Sequence, residues 1–120
     1  MKICLQTRKI KNPNYLSAFE EYRKRLSREV KFVDRLQPDY SISISRYGEA
    51  IDSVEFARRL QDLALQGKSR LMFYVDEPNP DAEMQLNLID CDIDPQLLPV
   101  LLIEQIYRAF RILGGSNYHK

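Results

Sequence analysis

The chain has 120 residues, 44% hydrophobic and 29% charged, which is material for a single domain over 1–120 that buries about two-thirds of its unfolded surface. No apolar run approaches the ~20 residues of a membrane-spanning helix and the sequence opens directly on a strand pattern, so no membrane partner is expected and the cytoplasm is the expected location. The net charge of +1 is unevenly spread: residues 1–35 hold ten Lys and Arg against four acids, a basic end that suits RNA phosphates or a solvated helix face.

Alternation over Lys2–Gln6 predicts a first strand. Tyr15, Ala18, Phe19, Tyr22 and Leu26 recur at helical spacing and predict a helix over Asn14–Ser27, capped by Asn12 or Asn14 around Pro13. Its Arg23, Lys24, Arg25 and Arg28 fall on the solvent side. A second strand is expected over Val30–Arg35 and a third over Ser41–Arg46, where Ser and Ile alternate. Only Leu36–Asp39 separate these two strands, whereas a parallel crossover needs about a dozen residues. The two are therefore either an antiparallel pair or not neighbours, and one sheet face is expected to lack a covering helix.

Ser53 is the predicted cap of a second helix over Val54–Gln66, with Val54, Phe56, Ala57, Leu60, Leu63 and Ala64 inward and Gly67 at its end. The continuous apolar run Leu71–Val75 has the character of a central parallel strand, and Leu86–Cys91 that of a last one. Between them and just beyond, Asp76, Glu77, Asp81, Glu83, Asp90, Asp92 and Asp94 form an acidic run with no basic residue among them. Cys4 and Cys91 sit in apolar strand-like runs and are expected to be buried free thiols; no spacing of ligand residues supports a metal site. Strands alternating with helices define an α/β chain with a mostly parallel sheet.

The final helix, beginning near Gln96, is apolar on nearly every side. Leu97, Leu98, Leu101, Leu102, Phe110 and Leu113 suit the chain's own sheet, which leaves Val100, Ile103, Ile106, Tyr107 and Ile112 for a second apolar surface. A second copy of the chain is the expected source of that surface. Gly114 is expected in the left-handed turn that ends a helix, and Glu104 and Arg108, four residues apart, are expected to pair.

Three stretches carry a family resemblance: Phe19-Glu-Glu-Tyr-Arg-Lys-Arg-Leu-Ser27; Ser53-Val-Glu-Phe-Ala57 with Leu65-Gln-Gly-Lys-Ser69; and Leu102-Ile-Glu-Gln-Ile-Tyr-Arg-Ala-Phe110 with Tyr118-His-Lys120. In order and content they resemble the ribosomal RNA large subunit methyltransferase H family of the SPOUT class. The resemblance implies a SPOUT-like α/β knot, a mostly parallel sheet flanked by helices, and a homodimer packed through the C-terminal helix at Ile103, Glu104, Ile106 and Tyr107. It implies S-adenosylmethionine as cofactor, large-subunit rRNA of the ribosome as partner, and N3 of a pseudouridine as methyl acceptor. Arg23, Lys24, Arg28 and Lys120 become RNA-binding candidates. Tyr118 and His119 match the tail that reaches the family's active site, and they are the catalytic candidates by that match alone.

Two departures bear on function. The family is longer by a helix that would fall between Arg35 and Tyr40. Where the family carries a Gly-Gly-x-x-Gly loop, this chain has Val75-Asp-Glu-Pro-Asn-Pro80 and no glycine from Lys68 to Leu113. The cofactor positions by correspondence are Val75, Asp76 and Glu77, with Asp90, Cys91 and Ile93 in a second loop. Pro95 and Pro99 stand there at the family's His and Arg positions. Glycine lets a backbone approach a ligand and aim N–H groups at it; proline has no N–H to offer. The expectation is a dimeric binding module of that family with impaired or lost methyl transfer. The alternative is an active RNA methyltransferase with a remodelled pocket.

Overall fold

Asn12 opens the first helix: its side-chain oxygen accepts from the N–H groups of Asn14 (2.9 Å) and Tyr15 (3.2 Å), and Pro13 occupies the first turn, where its missing N–H costs nothing. The computed structural model describes residues 1–75 and 77–114. In it this helix, α1, runs Pro13–Arg25, followed in chain order by α2 (Ser53–Leu65) and α3 (Leu98–Leu113). The strands are β1 (Lys2–Gln6), β2 (Lys31–Phe32), β3 (Tyr40–Ala50), β4 (Arg70–Tyr74) and β5 (Met84–Asn87). They pair in the order β2-β1-β4-β3-β5, and every pairing is parallel.

Register fixes the two faces of the sheet. Ile3 lies beside Leu71, Leu5 and Ile42 beside Phe73, and Ile44 beside Leu86, giving one apolar face. On it α2 lays Phe56, Ala57, Leu60 and Leu63, and α3 lays Leu102, Ile103, Ile106 and Ala109. Phe19 and Tyr22 of α1 pack at the margin, and α3 touches both other helices. The opposite face alternates to Cys4 and Met72, then Gln6, Tyr74, Ser43 and Gln85 in one row.

That second face carries no helix among the described residues, and connection handedness explains it. The steps β1 to β2 and β3 to β4 run in one direction along the sheet, while β2 to β3 and β4 to β5 run in the other. Parallel crossovers are right-handed, so α1 and α2 share a face and the two helix-free connections take the other. The contacts agree: the Cys4 thiol reaches the Asp34 carbonyl at 3.6 Å, and the Asn79 N–H donates to Ser43 Oγ at 2.9 Å.

The second and third strands are thus parallel and not neighbours. Residues 33–39 cross three strand spacings, about 14 Å, within a reach of about 24 Å for seven extended residues. This is feasible because β2 is cut to two residues, not the six expected. Asp39 anchors the far end: its N–H donates to the Arg70 carbonyl (2.8 Å), and its carboxylate accepts from the Ser69 and Arg70 N–H groups (3.2 Å each) and from the Arg70 guanidinium (2.8 Å).

Other expectations need correction. The cap of α2 is Asp52, which accepts from the Glu55 N–H at 2.8 Å, while Ser53 donates to Gln105 and ties α2 to α3. Gly67 ends α2 with φ +80, the left-handed conformation that favours glycine. Gly114 ends α3 with φ −82, so no left-handed turn occurs there. The last strand stops at Asn87, whose side chain accepts from the Ile89 N–H (3.1 Å) and donates to the Arg46 carbonyl (3.5 Å), an Asx-type turn that breaks the ladder. Cys91 therefore lies in a loop and is exposed, whereas Cys4 is buried and its thiol is pushed up by that burial.

The phase of α3 also differs. Val100, Ile103 and Ile106, assigned to a second surface, face the subunit's own core, and the latter two are fully buried. Leu101, Glu104 and Arg108 lie on the outward side instead, only partly covered, while Ile112 is partly buried against the core.

Candidate functional site

In open α/β sheets ligands bind beyond the carboxyl ends of strands, where successive connections leave in opposite directions. Here β1 sends the chain toward β2 and β4 sends it toward β5, so that point lies between β1 and β4. A cleft of about 230 Å³ opens beside that point, over the carboxyl ends of β3 and β5, with Arg8 from the loop after β1, Val75 and Pro78 from the connection after β4, and Asn87, Leu88, Ile89, Cys91, Asp92, Ile93, Pro95 and Leu98 from the end of β5 to the start of α3. Ile44, Leu88, Ile93 and Leu98 make most of the wall apolar. Gln96 fixes the last connection over the cleft by accepting from the N–H groups of Lys11 (2.5 Å) and Asn12 (2.9 Å).

The fourth wall is a distortion of β3. Ile44 and Glu49 both pair with Leu86, so Ser45–Gly48 loop out of the ladder. A Cβ on Gly48 would lie 2.4 Å from the Leu86 carbonyl carbon, so only glycine permits the chain to close over β5. Ser45 and Arg46 line the cleft, and Arg46 pairs with Asp92 across it. Glu49 holds the far side of the bulge through Arg59 at 2.9 Å. Arg58 and Arg59 also clamp Glu55, which holds that carboxyl down at about 2.

Hydrogen bonding in the loop after β4 is turned inward. The Asn79 N–H goes to Ser43, the Asp81 N–H to Asn79 Oδ1 (3.0 Å), and the Asn79 carbonyl accepts from Gln85 Nε2 (2.6 Å). Glu83 caps the arrangement by accepting from the hydroxyl and N–H of Ser41. Pro78 contributes a wall without a donor.

The expected cofactor positions divide accordingly. Val75, Cys91 and Ile93 line the cleft; Glu77 lines an adjoining hollow that shares Pro78; Asp90 is exposed and lines neither. Asp76, Tyr118, His119 and Lys120 lie outside the described residues. Of the RNA candidates, Arg23 pairs with Glu20 at 2.6 Å, and Lys24 and Arg28 are exposed near it on α1 and just beyond. Glu104 pairs with Arg108 at 2.6 Å, and Tyr107 stacks obliquely on Tyr22 at 5.6 Å with Arg25 and Arg111 over its ring. Sequence reasoning missed Arg8, Arg46 and Asn87. Their signals were present: Arg8 follows a strand's carboxyl end, and Arg46-Tyr-Gly48 interrupts the Ser–Ile alternation, as a bulge does.

The family model described as "Predicted SPOUT methyltransferase" matches residues 33–119, and a five-stranded, wholly parallel sheet with three helices is consistent with that class of α/β fold. The chain is 35% identical over 88 residues to the ribosomal RNA large subunit methyltransferase H of Clostridioides difficile, covering 68% of this chain and 55% of that protein. It is 30% identical over 116 residues to the protein of that name from Acetivibrio thermocellus, covering 90% and 73%, and 27% identical over 118 residues to ribosomal RNA large subunit methyltransferase H 1 of a Thermoanaerobacter, covering 88% and 89%. The chain belongs to the ribosomal RNA large subunit methyltransferase H family. Against the Clostridioides protein the match spans about half of the relative's length. No helix among the described residues is long and apolar enough to cross a membrane.

Proposed function

We propose that this protein is a cytoplasmic, homodimeric member of the family that binds large-subunit rRNA but holds S-adenosylmethionine poorly, so that methyl transfer is impaired or lost. The observation that carries the reading is the wall after β4. Adenosylmethionine brings a carboxylate, an ammonium, ribose hydroxyls and adenine nitrogens, and each group left unpaired when buried costs about 1–3 kcal/mol. Pro78 and Pro80 have no N–H, the Asn79 N–H is spent on Ser43 and the Ile89 N–H on Asn87, and Arg46 is engaged by Asp92. Glu77 adds a negative charge beside the same wall.

Support for the RNA and dimer parts is separate. Lys24 and Arg28 are exposed without an ion-pair partner among the described residues, and phosphate binding needs only such charges. The outward side of α3 carries Leu101 beside the Glu104–Arg108 pair, a mixed surface suited to a second copy.

One observation favours the active alternative: Arg8 and Arg46 both line the cleft, and a guanidinium suits a methionine carboxylate. Labelled methyl transfer to ribosomes from a strain lacking its own enzyme separates the readings. The expected result is co-sedimentation with large subunits and no label incorporated at saturating cofactor. Incorporation into large-subunit rRNA establishes the alternative.

A further inference from the structure

Tyr47 is 89% exposed, the most exposed of the large hydrophobic side chains among the described residues and the one aromatic among them; the others are Leu16, Val54, Leu65 and Leu113. Its placement is built, not incidental. The outward loop of β3 is locked on one side by Gly48 against the Leu86 backbone and on the other by Ser45, whose Oγ accepts from the Tyr47 N–H at 3.2 Å. The Arg46 carbonyl is held by Asn87, and Glu49 by Arg59. Bulges of this kind re-aim a side chain beside a functional site. The residue so presented is the immediate neighbour of Arg46, which forms part of the cleft wall.

We propose that Tyr47 is a stacking platform for an unpaired nucleobase of single-stranded RNA, positioned at the rim of the cleft. The inference rests on the RNA-binding reading above and deepens it by naming the state of the RNA that is recognised. A flat aromatic, 89% exposed on a loop pinned at both ends, has the geometry base stacking requires, and Arg8 brings a guanidinium to the cleft beside it. An apolar protein partner would be expected to find a contiguous aliphatic patch around the ring. The neighbours along the loop are instead Ser45, Arg46, Gly48 and Glu49.

The test is fluorescence anisotropy with a short labelled RNA of mixed sequence, single-stranded or annealed to its complement, for the wild type, Tyr47→Ala and Tyr47→Phe. Stacking of one base corresponds to a loss of about 5- to 150-fold in affinity. The expected result is a loss in that range for Tyr47→Ala on the single strand, retention by Tyr47→Phe, an unchanged salt slope, and no effect on the duplex, whose bases are already stacked. Wild-type binding that Tyr47→Ala leaves intact overturns this inference while the RNA-binding reading stands. Equal losses on single strand and duplex overturn it too, since they signify a phosphate contact. No binding of either RNA by the wild type overturns this inference, while the RNA-binding reading is decided separately by co-sedimentation with large subunits.

Discussion

Glu55 shows how single side chains hold the cleft's outer wall. It lies in the first turn of α2, where a negative charge suits the helix dipole, and it accepts from Arg58 and Arg59 while Arg59 also reaches Glu49 on the β3 bulge. The hydrogen bond from Arg58, then that from Arg59, lowers its pKa from the ordinary 4.5 to about 2. A carboxyl whose folded pKa is depressed contributes stability that is fully present above its unfolded value and disappears as pH falls through the folded one. The thermal midpoint of the wild type is therefore expected to drop between pH 4.5 and about 2 more steeply than that of Glu55→Gln, as read by circular dichroism melts. Parallel pH curves for the two proteins would contradict the assignment. Gly48 acts at the same scale by being small: the bulge exists because nothing larger fits over Leu86.

At the scale of elements, strands and helices were legible wherever a period ran uninterrupted. Lys2–Gln6 is a strand over those same residues, and the apolar run at Leu71 is the sheet's centre. Legibility failed where side chains compete with the ladder. Asn87 ends β5 early and leaves Cys91 exposed, and the Ser45–Gly48 bulge carries β3 on to Ala50. It failed again on α3, because a helix apolar all round does not declare which stripe faces inward. The structure chooses Leu102, Ile103, Ile106 and Ala109, each with no exposed surface. Ile106→Ala is accordingly expected to lower stability by about 2–5 kcal/mol in urea titration, and Leu101→Ala, on the outward side, by under about 1 kcal/mol. Equal costs would place the helix in the wrong phase.

For the whole molecule, the decisive feature is a sheet dressed on one face by helices and on the other by two loops. The shortened connection after β2 was visible in the sequence as a spacing too small for a crossover. The inward-turned connection after β4 was visible only as missing glycines, because what Asn79, Ser43 and Gln85 do to one another depends on strand register. Together these loops leave the family's fold in place and alter the wall a cofactor would touch. On the proposed reading, three hydrogen bonds left unmet on the ligand would cost about 3 kcal/mol at the low end, about 10²-fold in affinity. Calorimetric titration of the full chain with S-adenosylmethionine measures this directly: no saturable heat at micromolar concentrations is expected, and a micromolar dissociation constant abolished by substitution of Arg46 or Arg8 would contradict it.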